Sequence, residues 1–275
     1  MISQRMKKIA AIAAVMVMCL LTNRIDVQAN SRERDNGKGD NAPKQVAIVI
    51  DDFGNDMLGT EDMLKLPIKI TVAVMPFMPT TKRDAEDAFH LGHDVLVHLP
   101  MEPVHGKKEW LGPGAITTDL SDAEIRRRVE AAIDDVPHAV GMNNHMGSKA
   151  TADARVMKIV LGVCRERNLF FLDSRTTYKT VIPDLASKLD VTLLSNDVFL
   201  DDQYTTSHIM KQLGLLRKHL LTEVNCIAIG HVGPPGKKTA AAISRIIPEL
   251  TATGAEFVVS SQLLDSLARD KQILP

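Results

Sequence analysis

The sequence predicts an α/β fold built on parallel strands, and three observations support this prediction. Short apolar runs alternate with amphipathic segments from Gln45 to about Leu267. The runs are almost continuously apolar, as expected for parallel strands that are covered on both faces. Polar side chains that suit chemistry directly follow the runs. Seven or eight such strand–helix units are typical of either a closed (β/α) barrel or a doubly wound sheet.

Eight runs are predicted as strands, because each is short, apolar or β-branched, and separated from the next by a segment with helical spacing. In SDAEIRRRVEAAIDD, for example, Ser121 and Glu124 have the spacing of a capping box, and Ile125, Val129 and Ile133 lie on one helical face. In chain order, the predicted strands are QVAIVI, KITVAV, DVLVH, HAVGM, LFFLD, VTLLS, CIAIG and AEFVV.

Residues 1–29 predict a secretory signal peptide. The basic stretch MISQRMKK precedes the 13-residue apolar run IAAIAAVMVMCLL, and VQA then supplies the small residues of a cleavage site. The run is short for a membrane span, which needs about 20 apolar residues. We therefore expect a periplasmic or secreted protein. The alternative is an uncleaved N-terminal segment, which would be the only expected membrane attachment.

The remaining chain is expected to form one domain. Residues 30–43 are charged, rich in Gly and Asn and without periodicity, which predicts a flexible linker. No second linker or repeat follows, so residues 44–267 are expected to fold together, with residues 268–275 as a tail. Cys164 and Cys226 are predicted to be buried free thiols rather than a disulfide. The lack of a CxxC pair argues against a cysteine-based metal site.

Composition and motif spacing exclude two classes of ligand. A formal net charge of −1 and an aromatic content of 4% argue against a nucleic-acid partner. DFG at residues 52–54 lacks the other motifs of a protein kinase. GHVGPPGKKT, residues 230–239, has five rather than four residues between its two outer glycines, and its prolines remove backbone donors that a phosphate loop needs. No nucleotide is therefore expected.

Polar residues cluster at the predicted carboxyl ends of the strands. In barrels and open parallel sheets alike, these ends build the active site. A scatter of nine histidines and 34 acidic residues would not favour that edge so consistently. The residues concerned are Asp51 and Asp52, His98, Asn143 to His145, Asp173, Asn196 and Asp197, and His231.

Asp52, His98 and His145 are candidate ligands of a divalent metal ion. One carboxylate and two imidazoles form the sparse, open set of a catalytic centre, whereas a structural site is closed by four ligands. The set accepts zinc, cobalt, nickel or iron(II), and zinc is the expected ion. Asp51 is then a candidate general base. The alternative is that Asp51 and Asp52 cap the helix that follows.

The motif NNHMGS surrounds His145 with polar atoms, so Asn143, Asn144 and Ser148 are candidate substrate contacts. His231 is a candidate general acid that Asp173 or another carboxylate would orient, so we include Asp173 in the predicted catalytic set. The alternative role for His231 is to cap a glycine-rich turn.

The ordered motifs of the chain resemble those of the divergent polysaccharide deacetylases, a periplasmic branch related to the NodB-type carbohydrate esterases. The resemblance covers Lys44 to Ser266 and implies a distorted (β/α) barrel of about seven parallel strands. It also implies a metal-dependent hydrolase of an acetylated carbohydrate, with Asp51 as base, Asp52 as metal ligand and His231 as general acid. The motifs are IDDFG, ITVAVMP, HDVLVHLPMEP, GMNNHMGSKAT, FFLDSRTT and IAIGHVGPP.

The chain departs from the esterase pattern in two motifs. Glu102 replaces the second histidine of the metal-binding pair, and NNHMGS replaces an Arg/Pro-rich motif. His145 is therefore expected to be the third ligand, with Glu102 as a weaker candidate. Since the chain has one Trp and two Tyr, Trp110 is the expected platform for a sugar ring. Two alternatives stay open: a metal- or glycan-binding envelope factor without hydrolysis, and a hydrolase of O-acetyl esters.

Overall fold

The structure is a computed structural model that describes residues 44–273. The predicted signal peptide and linker, and the last two residues of the predicted tail, lie outside this range. Within it, one parallel sheet curls into a distorted barrel, as predicted. Its strands are β1 (Lys44–Phe53), β2 (Thr71–Val74), β3 (Asp94–Met101), β4 (Ala139–Met146), β5 (Phe170–Asp173), β6 (Leu193–Ser195), β7 (Val198–Phe199), β8 (Asn225–His231) and β9 (Ala255–Val258).

The strand order around the barrel is β6-β5-β4-β3-β2-β1-β8-β7, and β9 pairs with the start of β1. All eight predicted runs are strands, and β7, which has only two residues, was not predicted. β6 and β7 are consecutive halves of one extended segment. The first half pairs with β5 and the second with β8, so the chain itself closes the ring between these two strands.

Helices connect the strands and cover the outside of the sheet. Ser121 begins the third helix as predicted, because its Oγ accepts a hydrogen bond of 3.3 Å from the backbone N–H of Glu124. The predicted apolar face of this helix is buried. The helices are α1 (Thr60–Leu64), α2 (Thr81–His90), α3 (Asp122–Asp135), α4 (Ala154–Glu166), α5 (Ile182–Leu189), α6 (Thr206–His219), α7 (Gly236–Ala252) and α8 (Ser260–Ile273). α8 thus extends into the segment predicted as a tail.

Alternation along the strands divides the buried side chains into two clusters. The larger cluster packs between the sheet and α1 to α7. The smaller one fills the barrel interior, and it takes alternate residues such as Ala47 and Val49 of β1 and Ile227 and Ile229 of β8. Because the side-chain period is two residues, this alternation also fixes which polar residues face the barrel interior at the ends of the strands.

Cys164 and Cys226 are buried free thiols, as predicted. Among the residues that the structure describes, no helix combines the length and the apolar character that a membrane span requires.

Candidate metal centre and active site

β1 ends in a distortion that brings two carboxylates together. Its register with β2 shifts between Ile50 and Phe53, and Asp52 within this bulge has φ +70°. This left-handed conformation costs a non-glycine residue roughly 1–2 kcal/mol. Asp51 continues the inward-facing series of Ala47 and Val49 and is buried, and the bulge lets its neighbour Asp52 line a cleft at the same end of the barrel.

The three predicted metal ligands converge on one point. Oδ1 of Asp52 lies 2.9 Å from Nδ1 of His145 and 3.2 Å from Nε2 of His98. The two imidazole nitrogens lie 3.1 Å apart. A tetrahedral zinc ion with bonds of about 2.0–2.1 Å holds its ligand atoms about 3.3 Å apart. The spacing of these three atoms therefore fits such an ion.

Hydrogen bonds on the far side of each ring fix the histidine tautomers. Nδ1 of His98 lies 2.7 Å from Oδ1 of Asn143, whose Nδ2 donates to Oδ1 of Asp51 at 2.8 Å. Since the carboxylate of Asp51 must accept, Asn143 presents its oxygen to His98, and the proton of His98 is on Nδ1. Nε2 of His145 lies 3.0 Å from the carbonyl oxygen of Trp110, so His145 carries its proton on Nε2.

The nitrogens that face each other, Nε2 of His98 and Nδ1 of His145, therefore both carry lone pairs in the neutral rings. Oδ1 of Asp52 is buried between them and has no hydrogen-bond partner. With both rings neutral, three acceptor atoms meet with no donor among them, which is costly unless a cation binds there. The outer partners, Asn143 and the Trp110 carbonyl, are the kind that orient histidine ligands in metal sites.

The two adjacent carboxylates differ in their electrostatics. Burial raises the pKa of Asp51 above its usual value, and the imidazoles of His98, when protonated, and of His231 only partly oppose this effect. Burial also acts to raise the pKa of Asp52, but contacts with His145 and His98 outweigh it and hold that pKa well below the usual range. Asp52 is thus set to stay ionised as a ligand, whereas Asp51 has the proton affinity of a base.

His231 faces the site from the end of β8, where its Cα pairs with that of Asp51. Its Nδ1 lies 2.7 Å from Oδ1 of Asp201, and its backbone N–H donates to Oδ2 of Asp201 at 2.9 Å. The hydroxyl of Thr239 also donates to Asp201, at 2.7 Å. Asp201 is fully buried, so this ion pair and its hydrogen bonds hold the ring of His231 in one orientation.

Sequence analysis missed Asp201. It follows the two-residue strand β7, which was too short to be recognised, so the carboxylate had no predicted strand end to mark it. The available signal was the acidic pair of Asp201 and Asp202 directly after the apolar run VFL. That pattern is the same one that identified Asp51 and Asp52 after β1.

The orienting role predicted for Asp173 belongs instead to Asp201. Oδ1 of Asp173 accepts from the backbone N–H of Arg175 at 2.8 Å, and Oδ2 accepts from the hydroxyl of Thr180 at 2.9 Å. Phe170 and Leu172 of β5 face the barrel interior, so alternation turns Asp173 toward the helix side of the sheet. Its contacts organise the loop after β5.

The candidates from the motif NNHMGS also have separate positions. Asn143 is fully buried and positions Asp51 and His98, so both ends of its amide are occupied. Asn144 is buried on the opposite face and bonds the loop after β5, through the backbone N–H of Ser174 at 3.1 Å. Ser148 accepts from the backbone N–H of Val104 at 2.9 Å. These contacts give Asn144 and Ser148 loop-positioning roles.

Glu102, the weaker ligand candidate, lies outside the convergent group. Its Oε2 accepts from the backbone and side chain of Thr118, at 2.7 Å each, and its Oε1 pairs with Lys149 at 2.7 Å. Burial acts to raise its pKa, but Lys149 and Thr118 outweigh this effect and lower it. These partners occupy both carboxylate oxygens of Glu102.

A cleft of about 450 Å³ opens beside the convergent ligands. Trp110, the residue predicted as a sugar platform, lines this cleft and is 59% exposed, and Tyr204 lines the same cleft. The other lining residues are mostly apolar or small, and four of them are methionines. They are Asp52, Asn55, Met57, Met75, Met78, Glu109, Gly112, His145 and Met146.

Residues 48–264 match the model of a protein family described as divergent polysaccharide deacetylase. The chain is 36% identical over 208 residues to an uncharacterized protein of Haemophilus influenzae, which covers 76% of this chain and 74% of that protein. It is 34% identical over 235 residues to the uncharacterized protein YibQ of Escherichia coli, which covers 84% of this chain and 72% of the relative.

Two solved structures share the fold. The uncharacterized protein ATU2773 from Agrobacterium tumefaciens superposes with a TM-score of 0.75 at 23% identity, covering 80% of this chain and 89% of that chain. The Xyl-CE4 domain of a multidomain xylanase, from the hindgut metagenome of Trinervitermes trinervoides, has a TM-score of 0.51 at 16% identity. It covers 82% of this chain and 92% of that domain.

Proposed function

Since this chain belongs to the divergent polysaccharide deacetylase family, we propose that it is a metal-dependent hydrolase that removes N-acetyl groups from an envelope or exported carbohydrate. The N-terminal pattern of residues 1–29 supports export through a signal peptide, with action in the periplasm or outside the cell. The apolar cleft with Trp110 and Tyr204 supports an acetylated sugar as the substrate.

The observation that carries this proposal is the convergence of one carboxylate oxygen and two imidazole nitrogens on one point. Asp52, His98 and His145 would hold the ion, and their chemistry suits zinc. A bound ion of this kind supplies Lewis acidity toward a carbonyl oxygen and lowers the pKa of water. Three protein ligands leave coordination open, which distinguishes this set from a closed structural site.

Asp51 is proposed as the general base. Asn143 holds its Oδ1, which leaves Oδ2 to take the proton of the attacking water. Oδ2 lies 3.7 Å from Nε2 of His98, so the base is adjacent to the convergent ligands without replacing one of them. The raised pKa of Asp51, caused by burial, increases the carboxylate's affinity for that proton.

His231 is proposed as the general acid that donates a proton to the departing amine. Burial acts to lower its pKa, but the hydrogen bond with Asp201 and the charges of Asp52, Asp201 and Asp51 raise it to about 9. The ring is therefore protonated near neutral pH. With Nδ1 donating to Asp201, the proton available for transfer is on Nε2.

The proposal is tested by metal content and by acetate release from N-acetylglucosamine oligomers. The purified protein should bind zinc at the convergent ligands, and Asp52→Ala and His145→Ala should lose that ion and the activity together. Asp51→Asn should keep the ion but lose turnover by about 100-fold or more, the usual contribution of a general base. His105→Ala, at an exposed histidine, is the matched control.

Two results would overturn the proposal. Full turnover in Asp51→Asn with metal retained would exclude the mechanism. Tight oligosaccharide binding that survives Asp51→Asn and His231→Ala, with no acetate released by the wild type, would instead indicate a binding factor without hydrolysis.

A further inference from the structure

A second group of metal-ligating side chains lies at the other end of β8. Among the described residues, Asp197, His219 and Cys226 each offer a ligand atom, and these atoms all lie within 4.8 Å of one another. Cys226 is the second residue of β8, and His231 is the last. Five residue steps along the strand place their Cα atoms about 16 Å apart. This group is thus distinct from the convergent ligands of the active site.

The three residues come from different segments that the fold holds in place. Asp197 connects β6 to β7, and it bonds β8 twice: its N–H donates to the carbonyl of Ile227 at 2.9 Å, and its Oδ2 accepts from the N–H of Ile227 at 2.9 Å. His219 is the last residue of α6. Cys226 faces the helix side, because Ile227 belongs to the interior cluster. The backbone of these three segments therefore brings Asp197, His219 and Cys226 close together.

The three residues differ in solvent exposure. Cys226 is fully buried, His219 is half-buried, and Asp197 is exposed. The sulfur thus lies at the closed end of the group and the carboxylate at the solvent side, where an ion can enter. The hydrogen bond from Ile227 uses Oδ2 of Asp197, so Oδ1 is the oxygen that would bind an ion.

We propose that Asp197, His219 and Cys226 form a second metal site, which binds Zn²⁺ or a chemically similar ion. One thiolate, one imidazole and one carboxylate are a donor set that suits borderline-soft transition ions rather than Ca²⁺ or Mg²⁺. On binding, the thiol proton of Cys226 passes to solvent as the sulfur–metal bond forms. The lack of a CxxC pair does not exclude this site, because its ligands come from three separate segments.

The site has a structural role in this fold. It joins the end of α6 and the start of β8 to the segment that closes the barrel between β5 and β8. β7 has only two residues in register with β8, and an ion at this site would add a cross-link between α6, β8 and the segment before β7. Binding that favours the folded state stabilises it in proportion to the logarithm of ion concentration above the dissociation constant.

Cobalt(II) is the probe that distinguishes this site from the active site. A thiolate ligand gives a sulfur-to-cobalt charge-transfer band in the near ultraviolet, and Asp52, His98 and His145 offer no sulfur. We expect the band in the full-length wild type and in Asp52→Ala, and its loss in Cys226→Ser. Cys164→Ser, which removes the other buried thiol of the barrel, should keep the band and is the matched control.

His219→Ala provides a test that does not alter a fully buried side chain. Loss of an outer-shell partner of a metal typically weakens binding by about 10- to 100-fold. Because His219→Ala removes a direct ligand, the cobalt dissociation constant should rise by at least about 100-fold. A band that persists undiminished in Cys226→Ser, or the absence of any band in the wild type at saturating cobalt, would overturn the proposal. Neither result depends on whether the protein hydrolyses a carbohydrate.

Discussion

Asp52 combines its proposed role as a metal ligand with an unfavourable backbone conformation, and two substitutions separate these effects. Asp52→Gly and Asp52→Ala should both lose the bound ion. Alanine retains the left-handed penalty of about 1–2 kcal/mol, whereas glycine avoids it but loses more chain entropy on folding, which costs about 0.5–1 kcal/mol. The glycine variant should therefore have a free energy of unfolding about 0.5–1 kcal/mol higher than the alanine variant. Urea unfolding in the presence of a chelator measures this difference. Equal stability of the two variants would contradict φ +70° at this residue.

His231 and Asp201 predict a specific alkaline limit of activity. The pKa of His231 is raised to about 9, so its protonated form persists below that pH and is lost above it. Asp201→Asn removes a hydrogen bond and a charge that raise this pKa, so the alkaline limb of the kcat profile should move to lower pH. Asp202→Asn, at the exposed neighbour that pairs with His208, is the control. An unchanged limb in Asp201→Asn would contradict the coupling of these two residues.

At the scale of strands, alternation decides which strand-end residues belong to the site. Asp173 lies at the correct edge of the sheet but faces the helices, as does Asn144 beside inward-facing Asn143. We therefore expect Asp173→Asn to keep wild-type turnover and to lose about 1 kcal/mol of unfolding free energy, the net value of one hydrogen bond. A large loss of kcat with stability unchanged would restore Asp173 to the catalytic set. Parallel assays of acetate release and thermal unfolding decide this.

The elements also show what the sequence could and could not predict. Apolar runs identify β1 to β6, β8 and β9 because burial on both faces requires them. The approach of His98 to His145 follows from the parallel pairing of β3 with β4. The bulge at Asp52 does not follow, since it depends on the register between β1 and β2. Asp201 was missed for a related reason, because a strand of two residues leaves no periodic signal.

At the scale of the whole molecule, α8 closes the end of the barrel opposite the active site. Leu263 is buried in the interior cluster, and the backbone N–H of Ser261 donates to Asp94 at the start of β3 at 2.7 Å. Leu263→Ala should cost about 2–5 kcal/mol of unfolding free energy while metal affinity at the active site stays unchanged. Leu221→Ala, at a residue 74% exposed, should cost less than about 0.5 kcal/mol. Reduced zinc affinity in a folded Leu263→Ala variant would show that the two ends are coupled.

The segment that joins β6 to β7 limits how this protein can vary in length. Leu194 belongs to the interior cluster, but on β7 it is Phe199 rather than Val198 that packs there, so alternation shifts by one residue at Asn196 and Asp197. An insertion or deletion of one residue here would turn Phe199, whose ring stacks on His231, to the opposite face of the sheet. Surface loops elsewhere tolerate such changes. The length of the segment between β6 and β7 therefore determines whether Phe199 can contact His231.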